Sequence, residues 1–90
     1  MKNKKSGKRP RSISVVNVKC EYGYDDDVYA ISSRFKIEYE GSGMSFDGGD
    51  MPRDFDFTLK QPADAKLLHK LLEEYFKSKN IKHVIKLDIN

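Results

Sequence analysis

Apolar and polar residues alternate in four short stretches of the chain, and this period of two constrains the fold more than any other feature. The stretches cover residues 14–22, 30–40, 54–59 and 84–89. Successive side chains of a β-strand point to opposite faces, so alternation gives a strand one face for a core and one for solvent. We therefore predict four half-buried strands.

Residues 62–79 follow a helical spacing instead. Pro62 suits the first turn of a helix, where its missing N–H costs nothing, and Asp64 suits the positive end of the helix dipole. Apolar residues recur at intervals of three and four, as in a helix with one buried stripe. The stripe consists of Ala65, Leu68, Leu71, Leu72, Tyr75 and Phe76. Asn80 is predicted to end the helix, with Ile81 folding back onto the last turn.

Two regions between these elements are predicted to lack regular structure. Gly23 and the following aspartates indicate a turn over residues 22–27, and four glycines with Pro52 indicate a long flexible loop over residues 40–53. The predicted order is βββαβ, in a small single α+β domain over residues 13–90. Three strands form an antiparallel meander, the helix packs on its apolar face, and the last strand joins an edge.

Residues 1–12 carry charge but almost nothing to bury. Six of them are basic, none is acidic, and Met1 is the only apolar residue. Such a segment cannot offset its conformational entropy, so we expect a disordered basic arm. Its cations can neutralise phosphates and release counterions, which gives salt-dependent contact with the backbone of DNA or RNA. The candidate nucleic-acid-binding residues are Lys2, Lys4, Lys5, Lys8, Arg9 and Arg11. The alternative is a tail that only adds solubility.

Acidic residues concentrate in the middle of the chain. If stretches 30–40 and 54–59 form a hairpin, Glu38 and Glu40 lie beside Asp54 and Asp56 on its solvent face. Like charges opposite each other destabilise a sheet, so folding alone does not favour this arrangement. We interpret the four carboxylates as a protein-binding surface for a basic partner. The alternative is an acidic face that is merely solvated.

Two apolar side chains in the predicted loop extend this surface. Met44 and Phe46 lie in a polar, glycine-rich segment that gives no local reason for them. They either cap the core or anchor a protein partner beside the acidic residues. We include both among the candidate protein-binding residues.

Composition excludes several classes of protein. One cysteine cannot form an internal disulfide, and no cysteine–histidine cluster has the spacing of a zinc site. No apolar run approaches the ~18 residues of a membrane span. No apolar segment follows the N-terminal lysines as it does in a secretory signal. We expect a cytoplasmic protein without a membrane partner.

No group of residues has the pattern of a nucleophilic catalytic site. Cys20 falls on the inward side of its strand, where cysteine behaves as a small apolar residue. His69 and His83 lack a sequence-local acid to orient them as bases. A magnesium-dependent enzyme is a sharper hypothesis, because carboxylates could supply oxygen ligands, although their spacing does not match a calcium loop. These carboxylates are Asp47, Asp50, Asp54 and Asp56.

The first expectation is a small non-enzymatic binding protein that uses neither a metal nor a cofactor. Its arm contacts nucleic acid, and its separate acidic face binds a protein. The alternative is a protein-directed inhibitor or adaptor, in which the acidic face mimics phosphates and docks in a basic groove of the partner. The magnesium-dependent enzyme stands third.

Overall fold

The structure is a computed structural model that describes residues 13–45 and 49–89. The predicted basic arm of residues 1–12 lies outside the described residues, as do Phe46 and Asp47. The elements, in chain order, are β1 (Ser14–Cys20), α1 (Asp25–Ser32), β2 (Tyr39–Met44), β3 (Arg53–Leu59), α2 (Pro62–Lys79) and β4 (His83–Ile89).

The four strands form one antiparallel sheet in the order β2-β3-β1-β4. Helix α1 connects β1 to β2, and β3 lies between these two strands in the sheet. Helix α2 connects β3 to β4, and β1 lies between them. Each half of the chain is therefore a split βαβ unit. The small α+β class and the edge position of the last strand are confirmed. The predicted order βββαβ and the three-stranded meander are wrong, because α1 precedes β2 and β1 pairs with β3 and β4.

The main error concerns the stretch predicted as the second strand. Residues 25–32 form helix α1, and it begins inside the predicted turn. Tyr24, Val28, Ile31 and Phe35 are spaced by four, three and four residues, and all four pack in or against the core. The aspartates at 25–27 occupy the first turn, where negative charge is favourable to the helix dipole. This helical spacing competes with the alternation that predicted a strand.

All of strand β2 except Tyr39 lies in the segment predicted as a long loop. It is an edge strand that pairs with β3, from Tyr39 opposite Thr58 to Met44 opposite Arg53. Glycines at 41 and 43 concealed it, because glycine is depleted in strands and common in loops. Only the segment after Met44 remains as a connection to β3.

The remaining elements follow the predictions. Helix α2 begins at Pro62 and buries Ala65, Leu68, Leu72 and Phe76 on one stripe. Asn80 takes the left-handed conformation with a φ of 58°, and the N–H of Ile81 returns to the carbonyl of Phe76. This is the predicted cap, and it turns the chain towards β4.

The core lies between one face of the sheet and the two helices. Phe55 and Phe57 are fully buried on β3, and their stacked rings have 6.2 Å between centres. The ring of Tyr29 from α1 is nearly perpendicular to that of Phe55, with 5.5 Å between centres. The hydroxyl of Tyr75 on α2 donates a hydrogen bond to Asp27 on α1. The two helices are therefore joined by a polar contact as well as by apolar packing.

Cys20 is buried at the end of β1, and its thiol should resist alkylation in the folded protein. Burial raises the pKa of the thiol to about 11 from the ordinary 9.0, with a smaller contribution from the Asp25 carboxylate. Because the thiolate reacts, iodoacetamide at pH 8 should modify Cys20 slowly in buffer and rapidly in urea. Equal rates in the two solvents would contradict this placement.

The raised pKa of Cys20 makes the free energy of unfolding depend on pH in the alkaline range. The pKa is higher in the folded than in the unfolded chain, so the unfolded chain loses its thiol proton first as pH rises. The contribution of the protonated Cys20 thiol to the free energy of unfolding is complete below pH 9 and is lost as the pH rises towards 11. A Cys20→Ala variant should lose less stability than the unaltered protein over that interval, as measured by urea unfolding at each pH.

Candidate binding groove on the uncovered sheet face

The two helices cover one face of the sheet, and none of the described elements covers the other. The strand register places three residues of each strand on this uncovered sheet face. They are Tyr39, Gly41 and Gly43 on β2; Asp54, Asp56 and Thr58 on β3; Val15, Asn17 and Lys19 on β1; and Val84, Lys86 and Asp88 on β4. Alternation along each strand produces this set, since the intervening side chains enter the core.

The β2–β3 half of this face carries a groove of about 310 Å³. Gly41 lies opposite Asp56 and Gly43 lies opposite Asp54, so the positions beside both carboxylates have no side chain. The Tyr39 ring lies over Gly41, since a Cβ atom added there would lie 3.3 Å from the Tyr39 hydroxyl and 3.4 Å from its Cε2 atom. A Cβ atom added to Gly43 would meet nothing within 4 Å, so the position beside Asp54 is the open one. We call these five residues the glycine groove.

One neutral side chain holds both carboxylates of the groove. The Nδ2 atom of Asn17 donates to Asp54 Oδ1 at 2.9 Å and to Asp56 Oδ1 at 2.7 Å. Among ion pairs between described residues, none includes Asp54 or Asp56. An amide orients the two acids without neutralising them. Lys19 lies opposite Asp54 on the same face, whereas Asp56 lies opposite the neutral Asn17, so the charge of Asp56 is the more available to a further cation.

The predicted group of four carboxylates does not form on one face. Glu40 lies opposite Phe57 and therefore points to the face that carries the helices, while Glu38 pairs with Lys60 at 4.0 Å. A shift of one residue in register moves every side chain of a strand to the other face. Of the predicted protein-binding residues, the structure brings together Asp54, Asp56 and, at the border of the groove, Met44.

Met44 does not cap the core. It ends β2, is 47% exposed, and borders the glycine groove. Phe46, which was predicted to act with Met44, lies outside the described residues.

The sequence analysis did not identify the roles of Tyr39, Gly41, Gly43 and Asn17. Glycines at alternate positions were the available signal, because a period of two places them on one face of a strand.

Arg53 anchors the groove from the helix-covered face. Its guanidinium donates through Nε and Nη2 to both carboxylate oxygens of Asp25, at 3.0 and 2.7 Å. Its Nη1 atom donates to the carbonyl of Gly43 at 2.8 Å, and the guanidinium carbon lies 4.8 Å from the ring centre of Phe55. Arg53 therefore joins α1 to the end of β2, and it does not neutralise Asp54 or Asp56.

Of the four residues of the magnesium hypothesis, the structure brings together only Asp54 and Asp56. Asp50 pairs with Lys82, and this hydrogen bond lowers the pKa of the Asp50 carboxyl. In the part of the chain that the structure describes, no three histidine, cysteine or acidic side chains are grouped as metal ligands. Asp47 lies outside that part.

His83 is held by contacts with three residues. His83 stacks on Phe76 with 5.0 Å between ring centres, its Nδ1 lies 2.8 Å from the carbonyl of Ile81, and its Nε2 lies 3.3 Å from Glu73. Glu73 also pairs with Lys77. Glu73 therefore contacts both Lys77 and His83.

Helices within the described ranges are too short or too polar to cross a lipid bilayer. Comparisons of the chain with protein-family models, with curated proteins and with solved structures found no match. Because unrelated functions share simple α+β topologies, the function has to be argued from the groove.

Proposed function

We propose that the protein is a non-enzymatic binding protein whose glycine groove receives a cationic segment of a protein partner. The observation that carries this proposal is the pair of carboxylates, Asp54 and Asp56, which Asn17 orients beside the open position at Gly43 and the Tyr39 ring over Gly41. An arginine or lysine side chain that lies over Gly43, beside the Tyr39 ring that covers Gly41, would be near both acids. The exposed ring of Tyr39 at the end of the groove adds a surface on which a cation is attracted.

Glu38 and Glu40 do not lie on this face, and their absence from it weighs against the alternative function of an inhibitor or adaptor. An inhibitor that mimics phosphates needs an extended array of acids to fill a basic groove of its target. The uncovered sheet face offers two acids close together and Lys19 and Lys86 on its β1–β4 half. This distribution favours a single cationic segment over an extended basic groove as the partner.

The test is a titration of the full chain with a hexaarginine peptide, followed by amide NMR shifts. We expect the largest shifts at the amides of the glycine groove. The double variant Asp54→Asn/Asp56→Asn should bind about tenfold more weakly, because two exposed ion pairs together contribute about 0.4–2 kcal/mol and 1.4 kcal/mol is tenfold.

The matched control is Glu74→Gln/Asp88→Asn, which removes the same charge from exposed positions outside the groove. It should bind the peptide with nearly the affinity of the unaltered protein. If the two double variants lose affinity equally, the peptide responds only to net charge, and the groove is not its site.

Nucleic-acid contact through residues 1–12 is the second proposed function, and the concentration of six cations without an acid supports it. Fluorescence anisotropy with a duplex oligonucleotide should show binding that weakens steeply with salt. If all six cations contact phosphates, log K should fall with log salt at a slope of about −5. Replacing the six with glutamine should abolish the binding.

The control for the arm replaces six exposed lysines of the domain, so that the change in net charge is equal. These are Lys36, Lys60, Lys66, Lys70, Lys79 and Lys86. This variant should retain most of the duplex affinity. Absence of binding by the unaltered chain at low salt would remove the nucleic-acid function and leave the groove function unaffected.

A further inference from the structure

We infer that residues 1–12 of the same chain dock in the glycine groove and occupy it in cis. The inference uses the groove of the proposed function but needs no partner protein. It joins the two charged features of the molecule, a segment with six cations and a groove with two carboxylates that take part in no ion pair between described residues.

Charge complementarity selects this half of the sheet. The β2–β3 half of the uncovered sheet face has two acids and no base, and Lys19 of β1 lies at its border, opposite Asp54. The β1–β4 half has Lys19 and Lys86 against Asp88. A cationic segment is attracted to the first half and is weakly repelled by the second. Tyr39, which is 64% exposed at the end of the groove, offers the segment a ring surface as well.

The place where residues 1–12 join β1 is also close to the glycine groove. Ser14 begins β1 opposite Leu59, at the end of the sheet where Tyr39 lies opposite Thr58. Asp56 is level with Asn17, so it lies roughly 10 Å further along the strands at about 3.3 Å per residue. Crossing from β1 to β2 adds roughly 10 Å at about 4.8 Å per strand.

A segment of this length spans the separation easily. Twelve residues reach about 40 Å when extended, which exceeds the distance from β1 to the far end of the groove. The covalent connection also gives the segment an effective concentration of about 1 mM or more at the groove. A weak electrostatic contact is sufficient for occupancy at that concentration.

The inference is tested by paramagnetic broadening in the full chain. A nitroxide is attached at position 6 through Ser6→Cys; Cys20 is buried and does not compete for the label. We expect loss of amide peak intensity at Gly41, Gly43 and Asp56, and none at the outer face of α2. The broadening should disappear in 1 M salt, where the Debye length is about 3 Å.

Two charge variants complete the test. Asp54→Asn/Asp56→Asn should abolish the broadening, and Glu74→Gln/Asp88→Asn should leave it unchanged. Absence of localised broadening in the unaltered chain, or persistence in the groove variant, would overturn the inference. Broadening in a mixture of labelled chains and separate isotope-enriched chains would also overturn it, because it would show contact with a second copy.

Failure here can be told from failure of the proposed function, because no peptide is present in this experiment. If both are correct, the segment competes with the hexaarginine peptide. Replacing its six cations with glutamine should then tighten peptide binding, by about tenfold if the groove is nine-tenths occupied in cis.

Discussion

Replacing Phe57 with alanine should remove about 3–5 kcal/mol from the free energy of unfolding, the usual cost of truncating a buried aromatic residue. Phe57 is fully buried at the centre of β3, opposite Val16 of β1, and stacks on Phe55. The shortened side chain would leave a cavity between the sheet and the helices. A domain of this size has about 5–15 kcal/mol of stability in all, so the loss is a large fraction.

Urea unfolding followed by circular dichroism measures this effect. The control is Tyr39→Ala, which truncates an aromatic side chain that is 64% exposed on the other face of the sheet. It should change stability by no more than about 0.5–1 kcal/mol. Equal losses in the two variants would contradict the assignment of the core to the helix-covered face.

Replacing Arg53 with methionine should cost about 1–3 kcal/mol. The side chain of Arg53 is 11% exposed and that of its partner Asp25 is 39% exposed, so the pair is worth less than a fully buried one. Methionine preserves the packing on Phe55 but leaves Asp25 and the Gly43 carbonyl without the guanidinium donors. Helix α1 and the end of β2 should both loosen.

A double-mutant cycle with Asp25→Asn isolates the pair, because a coupling energy appears only if the two side chains interact. The control is Lys60→Met, since Lys60 lies 4.0 Å from Glu38 and is 61% exposed. That substitution should have almost no effect on stability. A coupling energy near zero for Arg53 and Asp25 would show that the pair does not hold α1 in place.

Arg53 also links stability to the groove. Its hydrogen bond to the Gly43 carbonyl fixes the end of β2, and Gly43 is the β2 residue that lies opposite Asp54 in the groove. The Arg53→Met variant should therefore bind the hexaarginine peptide more weakly even though the acids of the groove are retained. The same NMR titration measures this at a temperature where the variant is folded.

The candidate site was only partly readable from the sequence. Alternation along 54–59 placed Asp54 and Asp56 on a solvent face, and the register of β3 confirms it. Glu38 and Glu40 were assigned to the same face because the strand was predicted over residues 30–40, which begins nine residues before β2 and includes residues that are helical. Nothing local to Asn17 shows that its amide bridges two acids from another strand.

Sequence alone determined the elements whose periodicity is unambiguous. β1, β3, β4 and α2 each repeat one period over their whole length, and Pro62 and Asn80 mark the ends of α2. For these segments local preference and burial of one face agree, so neighbouring elements are not needed to choose between helix and strand.

Tertiary structure decided the segment from residue 25 to residue 44. Its apolar residues fit both a helical and a two-residue period, and the helix is selected because it buries Val28 and pairs Asp25 with Arg53, 28 residues away. β2 has little strand preference of its own and forms as the partner of β3. Interactions between residues distant in the sequence made these choices, because local free energies there are too closely balanced to decide them.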